Sequence, residues 1–272
     1  MAPQGTAADF TDGFIDIAGD RLEYRRIPAA GEGRPTLVFL HEGLGCIAIW
    51  KDFPDRLAAA TGCGALIYSR RGYGASSPVT PPRPIDYLHR EADIVLPALL
   101  DAFGLTDTVL VGHSDGASIA LLAVAGPLLA PRIRLAIAEA PHVFVEDVTI
   151  AGIRAAGDLY HNGGLRERLK RLHGDNVDGA FHGWHETWLT PAFRHWNIED
   201  RLPSIRTPLL VIQGVGDEYA TAAQYDAIAA RSGGPVSVLV LEGCGHTPHR
   251  DRAEAVLAAM AEAIGVAARP AA

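Results

Sequence analysis

The sequence predicts an α/β protein: a doubly wound, mostly parallel sheet of eight strands with helices on both faces. Three observations carry this. Short apolar runs recur, each closed by turn residues: TLVFL (36–40), ALIY (65–68), TVLVG (108–112), LAIAEA (135–140), LLVIQG (209–214) and VSVLVLEG (236–243). They are continuously hydrophobic rather than alternating, which is the pattern of strands covered on both faces. Helical patterns lie between these runs, and strand alternating with helix is the mark of a sheet built from crossover units. Residues 13–27 read as a leading antiparallel hairpin turning at Gly19-Asp20, which brings the strands to eight.

Taken in order, the helical patterns fall at 53–60, 87–103, 117–125, 222–231 and 253–264. One segment breaks the rhythm. Residues 141–203 contain no strand of the buried type, but do contain His173, His182, His185 and His195 and three of the four tryptophans, Trp184, Trp188 and Trp196. They read as a helical cap inserted after the sixth strand, over one end of a core formed by 1–140 and 204–272. Residues 267–272 read as a frayed tail.

Bulk properties narrow the function. The chain has 272 residues, 48% hydrophobic and 21% charged, with a net charge of −8. That suits one large globular unit with an insertion. No basic tract could track a phosphate backbone, so nucleic acid is not an expected partner. No apolar run reaches the roughly 18 residues of a membrane span. The opening MAPQGTAADFTDGF has neither a positive n-region nor an apolar h-region, so no secretory signal is expected and the expected location is cytoplasmic. Cys46, Cys63 and Cys244 are far apart and odd in number, as suits reduced thiols. A homodimer is left open.

The stretch VLVGHSDGASIALL (109–122) carries the chemistry. A buried strand breaks at Gly112-His113-Ser114-Asp115-Gly116 and resumes as a small-residue helix. This is the Gly-x-Ser-x-Gly strand-to-helix turn, in which glycines two residues either side of the serine relieve a collision. Ser114 then sits at a helix N-terminus, where N–H groups and the helix dipole favour negative charge. A serine nucleophile needs a base, and the base needs an orienting acid. Asp217 follows LLVIQG and His246 follows VSVLVLEG, both at the strand ends where ligand sites of open α/β sheets lie. Glu218 and Glu139 compete with Asp217 for the acid role.

Several loops agree in resembling the α/β-hydrolase superfamily, in its capped, carboxylesterase-like branch. HEGLG (41–45) resembles the family's His-Gly-x-x-Gly loop, SRRGYGAS (69–76) its Asp-x-Arg-Gly-x-Gly-x-Ser loop, and GHTPHRD (245–251) the loop of the catalytic histidine. The resemblance spans essentially the whole chain. It implies Ser114, Asp217 and His246 as a triad, and an oxyanion hole from the N–H groups of Gly43 and Asp115. Three positions depart from the pattern: Glu42 stands for a glycine, Ser69 for an aspartate, and Asp115 follows the nucleophile. The acidic side chains are expected to point away from the oxyanion, or to pair with an arginine such as Arg71, or to favour a cationic or hydroxylated substrate.

The substrate pocket is expected to take in Glu42, Leu44, His142, Trp184 and Trp188, because apolar side chains line most such sites. His41 and His113 read as structural, and the arginine-rich run 166–171 as a solvated helix face. His182 and His185 lie three apart, but no third ligand has diagnostic spacing, so no metal is expected. No dinucleotide fingerprint or Walker loop is present, so no cofactor is expected. The leading expectation is a serine hydrolase acting on a small to medium carboxylic ester. A lactonase, a hydrolase of a C–C bond in a vinylogous diketone, and a non-catalytic ligand-binding protein on the same fold are the alternatives.

Overall fold

The computed structural model describes residues 12–267. The reading of the first eleven residues as free of a secretory signal, and of the tail beyond 267, lie outside the described residues. The strands are β1 Asp12–Ile17, β2 Asp20–Ile27, β3 Thr36–Leu40, β4 Gly64–Tyr68, β5 Thr108–His113, β6 Ile133–Glu139, β7 Leu209–Gly214 and β8 Val236–Leu241. They form one sheet in the order β1-β2-β4-β3-β5-β6-β7-β8. β2 is antiparallel to both neighbours, and every other pairing is parallel.

The helices are α1 Phe53–Thr61, α2 Tyr87–Arg90, a π-helical stretch Glu91–Val95, α3 Leu96–Ala102, α4 Asp115–Ala125, α5 Asp147–Asn162, α6 Leu165–His173, α7 Val177–Leu189, α8 Ala222–Arg231, α9 Pro248–Asp251 and α10 Ala253–Ala267. Among the described residues no helix is long and apolar enough to cross a membrane.

The continuous apolar runs are explained by the two layers. Side chains alternate across a strand. Leu37, Phe39, Val109 and Val111 therefore join Leu57 of α1 and Met260 of α10, while Val38, Leu40 and Leu110 join Leu99 of α3 and Ala120 of α4. A strand with both faces covered has no polar face.

Three local expectations are corrected. The hairpin turns at Ala18-Gly19, both at positive φ, because Asp20 already pairs with Ile17 in the ladder. The run in β8 is not covered on both faces: Val238 and Val240 are exposed, because β8 is the edge strand. The pattern over 87–103 is not one regular helix. Pro97 has no N–H to offer the carbonyl of Asp93, and the ladder widens into the π-helical stretch just before it.

Between β6 and β7 lie α5, α6 and α7. Their core is aromatic: Tyr160 stacks on Phe181 with ring centroids 3.6 Å apart, and Phe193 lies parallel to Trp196. Side-chain hydrogen bonds tie this segment to the sheet layer. His173 Nε2 donates to the Leu44 carbonyl at 2.9 Å, its Nδ1 accepts from Gly74 N–H at 3.0 Å, and Arg83 N–H donates to Thr187 Oγ1 at 2.8 Å.

Candidate active site

β5 ends at His113 and α4 begins at Asp115, so Ser114 alone makes the turn. Its φ of 54° and ψ of −115° lie where L-residues are strained, at a cost on the order of 1–3 kcal/mol. The flanking glycines allow the close approach. A Cβ on Gly112 would strike the Gly116 carbonyl, and a Cβ on Gly116 would strike the Leu40 carbonyl. Ser114 N–H donates to the Glu139 carbonyl at 2.9 Å, which carries the β5–β6 ladder to the turn. Nearly all of α4 is buried, so dense packing holds the turn in its strained form.

Three side chains from three strand ends meet here. Ser114 Oγ is 3.0 Å from His246 Nε2, and His246 Nδ1 is 2.8 and 2.9 Å from the two Asp217 oxygens. With Nδ1–H donated to Asp217, Nε2 is left to accept the serine proton. Asp217 is rigidly placed. Its Oδ1 accepts from the N–H groups of Tyr219 (2.8 Å) and Ala220 (3.2 Å), and its Oδ2 from the Gln213 amide. Burial pushes its pKa up, but the His246 hydrogen bond and charge and the Tyr219 N–H outweigh this. The carboxyl lies below its ordinary value.

The two other carboxylates that compete with Asp217 in the sequence are engaged elsewhere. Glu139 is buried and accepts from His249 Nδ1 at 2.6 Å. Glu218 accepts from the His246 backbone N–H at 3.2 Å.

The loop 41–45 is shaped from below. His41 Nδ1 donates to the Glu42 carbonyl at 2.7 Å, and Nε2 accepts from Arg70 N–H at 3.0 Å. Burial and the Arg70 charge hold this imidazole neutral, its pKa well below the usual range. Arg70 donates to the carbonyls of His41 (3.2 Å) and Glu42 (2.9 Å). In a trans peptide the N–H points opposite to the C=O. The Gly43 N–H therefore turns away from Arg70, and Gly43 lines the cavity that holds Ser114. Asp115 is the first residue of α4, so its N–H has no partner within the helix.

Both acidic side chains point away from this corner. Asp115 Oδ2 accepts from Tyr87 Oη at 2.7 Å and lies 3.5 Å from Arg70 Nη1, with the pair buried. The arginine is thus Arg70 and not Arg71, which lies 3.3 Å from Asp20. Glu42 curls under Gly45, with Oε2 3.8 Å from His113 Nδ1. Burial alone would raise its pKa, but the neighbouring His113 and His41 hold it at about 2. Ser69 also has its carboxylate: it donates to Glu23 Oε2 at 2.8 Å, and Glu23 is delivered from β2.

Above the serine lies a cavity of about 740 Å³, lined by Glu42, Gly43, Leu44, Ser114, His142, Trp184, Trp188 and His246 among others. Every residue expected in the pocket is on its wall. Trp184 sits against Gly43, where a Cβ would strike the indole. Trp188 Nε1 donates to Tyr87 Oη at 2.9 Å. His142 is buried beside His246, and burial followed by the His246 charge lowers its pKa to about 3.

Some lining residues have no counterpart in the sequence reading. Tyr219 packs on the His246 ring, with centroids 4.7 Å apart, and only its place two residues after Asp217 hints at this. Arg168 and Arg171 also line the cavity, which corrects the view of 166–171 as a wholly solvated face. A signal for Arg168 was present: Leu165, Arg168, Leu169 and Leu172 share one helical face at i, i+3, i+4 and i+7. Of the other histidines in the segment between β6 and β7, His182 Nδ1 lies 3.1 Å from Glu186, and His185 stacks on Phe181.

A model described as "Alpha/beta hydrolase family" matches residues 37–259. A proline iminopeptidase of Thermoplasma volcanium is 27% identical over 283 aligned positions, covering 89% of this chain and 93% of that protein. A proline iminopeptidase of Heyndrickxia coagulans is 30% identical over 122 residues, and this match spans 41% of the chain but only 37% of the relative's length. An esterase from Exiguobacterium antarcticum superposes with a TM-score of 0.73 at 20% identity, covering 93% of this chain and 98% of that one.

Proposed function

The chain belongs to the alpha/beta hydrolase family, and from that premise we propose that it is a serine hydrolase that cleaves a carboxylic ester of a small to medium substrate through an acyl-enzyme. The observation that carries this is the unbroken hydrogen-bond chain from Ser114 Oγ through His246 to Asp217, at the floor of a largely apolar cavity. His246 Nε2 takes the proton as Oγ attacks the carbonyl, and Asp217 stabilises the imidazolium. The N–H groups of Gly43 and Asp115 receive the oxyanion, and each such donor is worth roughly 10²–10³ in rate. The alcohol leaves with the proton from His246. Water activated by the same nitrogen attacks the acyl-enzyme and releases the acid.

The iminopeptidase relatives suggest a peptide with a free amine as a second substrate class. An ammonium group in a pocket calls for a carboxylate turned toward it. Here Glu42 is turned under Gly45 and Glu218 is held by the His246 N–H, which favours the ester.

The test is hydrolysis of a graded series of p-nitrophenyl acyl esters by wild type and by Ser114→Ala. Wild type should turn over short or medium esters, and the variant should lose on the order of 10⁴-fold or more in kcat. Unchanged turnover in Ser114→Ala, or no ester turnover by folded wild type, would overturn the reading.

A further inference from the structure

The charges around the cavity are not balanced. Six charged residues line it: Glu42, Lys51, Arg168, Arg171, Glu218 and Arg250. Glu42 curls under Gly45 with Oε2 3.8 Å from His113 Nδ1, Glu218 accepts from the His246 N–H at 3.2 Å, and Arg250 lies 3.4 Å from Asp251. The side chains of Lys51, Arg168 and Arg171 have no ion-pair or hydrogen-bond partner among the described residues. The chain as a whole has more acids than bases, 32 against 24. Three cations with unpaired side chains around one cavity therefore run against its overall balance.

These cations come from separate places. Arg168 and Arg171 stand on α6 in the helical insertion. Lys51 comes from the sheet layer, at the end of the short helical turn Ile47–Trp50. Its backbone has a φ of 52°, a conformation that favours glycine. Of the non-glycine residues at positive φ, Ala18, Lys51, Ser114 and Ala140, only Lys51 and Ser114 line this cavity. A strained backbone that presents a long cation at a substrate cavity is the pattern expected of a ligand-holding position. The same helix that carries the arginines also presents Leu165, Leu169 and Leu172 to the cavity, so apolar and cationic side chains line it together.

Building on the esterase reading, we propose that the preferred ester carries an anionic group, separated from the scissile carbonyl by an apolar stretch and held by Lys51, Arg168 and Arg171. The anion needs no proton transfer or cofactor. It contributes by binding and orienting the ester so that its carbonyl meets Ser114.

The test compares charged esters with neutral partners of nearly equal size and reactivity. For an anion on the acyl side, the pair is p-nitrophenyl hydrogen adipate and its methyl ester, a chain long enough to avoid self-cleavage by the free carboxylate. For an anion on the alcohol side, the pair is 4-(butanoyloxy)phenylacetate and its methyl ester. In one of the two pairs the charged ester should be favoured in kcat/KM by about 10-fold at low ionic strength, the sum expected of a few exposed ion pairs. The preference should shrink toward unity near 1 M salt, where the Debye length is about 3 Å. It should also fall toward unity in Arg168→Gln/Arg171→Gln and in Lys51→Gln, chiefly through KM. Neutral esters hydrolysed as fast as charged ones in both pairs, or a preference that survives both the salt and the substitutions, would overturn this inference and leave the esterase reading standing. Hydrolysis of neither member of either pair would overturn both.

Discussion

His113 Nε2 donates to the backbone carbonyl of His246 at 2.6 Å. The residue just before the elbow serine thus holds the loop of the proposed base, 133 positions later in the chain. On its other side, His113 Nδ1 faces Glu42. One ring therefore ties the elbow to the histidine loop by a hydrogen bond and lies alongside the loop 41–45.

From this coupling, His113→Ala should lower kcat by roughly 10- to 100-fold with little change in KM, because it loosens the base and leaves the cavity wall in place. A carbonyl left buried without a donor costs about 1–3 kcal/mol, so stability should fall by a similar amount. Steady-state kinetics alongside urea unfolding checks both. Loss of stability with unchanged kcat would reduce His113 to a packing residue.

The identity of the acid can be read by amide substitution. Asp217→Asn should place a donor against His246 Nδ1, force the other tautomer and lower kcat by about 10⁴-fold with the fold intact. Glu139→Gln should behave differently. It weakens the buried pair with His249, so it should reduce stability while keeping kcat within about 10-fold of wild type. If Glu139→Gln matched the kinetic loss of Asp217→Asn, the assignment would have to be exchanged.

Gly43 and Trp184 should show non-additive effects. A methyl group at position 43 meets the indole, so Gly43→Ala should displace the loop proposed to offer an oxyanion N–H. A loss of about 10²-fold in kcat is expected. In Gly43→Ala/Trp184→Leu the space is restored, and the double variant should be more active than Gly43→Ala alone. A double-mutant cycle measures the coupling, expected between about 0.5 and about 3 kcal/mol.

Acid sensitivity follows from His142. Burial, then the His246 charge, lowers its pKa from 6.5 to about 3 in the fold. The unfolded chain therefore takes up this proton first. The contribution to stability is full above the unfolded pKa and is lost as pH falls from 6.5 toward 3. Over that window one group changes stability by up to about 1.4 kcal/mol per pH unit. His142→Gln should flatten the dependence of the unfolding free energy on pH by nearly that amount around pH 5. His41, lowered in the same direction, would account for part of the slope that remains. An unchanged slope would show that His142 is protonated within the fold.

The architecture was legible in the sequence for a local reason. A strand covered on both faces must be apolar at every position, so β3, β5 and β7 announce themselves, while β8 resembles them and yet lies at the edge. The elbow was legible because the turn at Ser114 tolerates only glycine at 112 and 116. Strand-end loops likewise put Asp217 and His246 on the same edge as Ser114. Other relationships depend on packing between segments far apart in the chain, which no local pattern encodes. Whether Asp217, Glu218 or Glu139 meets His246 was decided when His249 took Glu139 and the His246 N–H took Glu218. The pairing of Asp115 with Arg70 rather than Arg71 reflects which side of one loop faces the core. So does the arrival of Glu23 at Ser69 from another strand. The orientation of Arg168 and Arg171 is likewise tertiary, because it depends on α6 lining the cavity that holds Ser114. Sequence determines what each strand end carries. The tertiary structure determines which charges are satisfied by the protein and which are left facing the cavity.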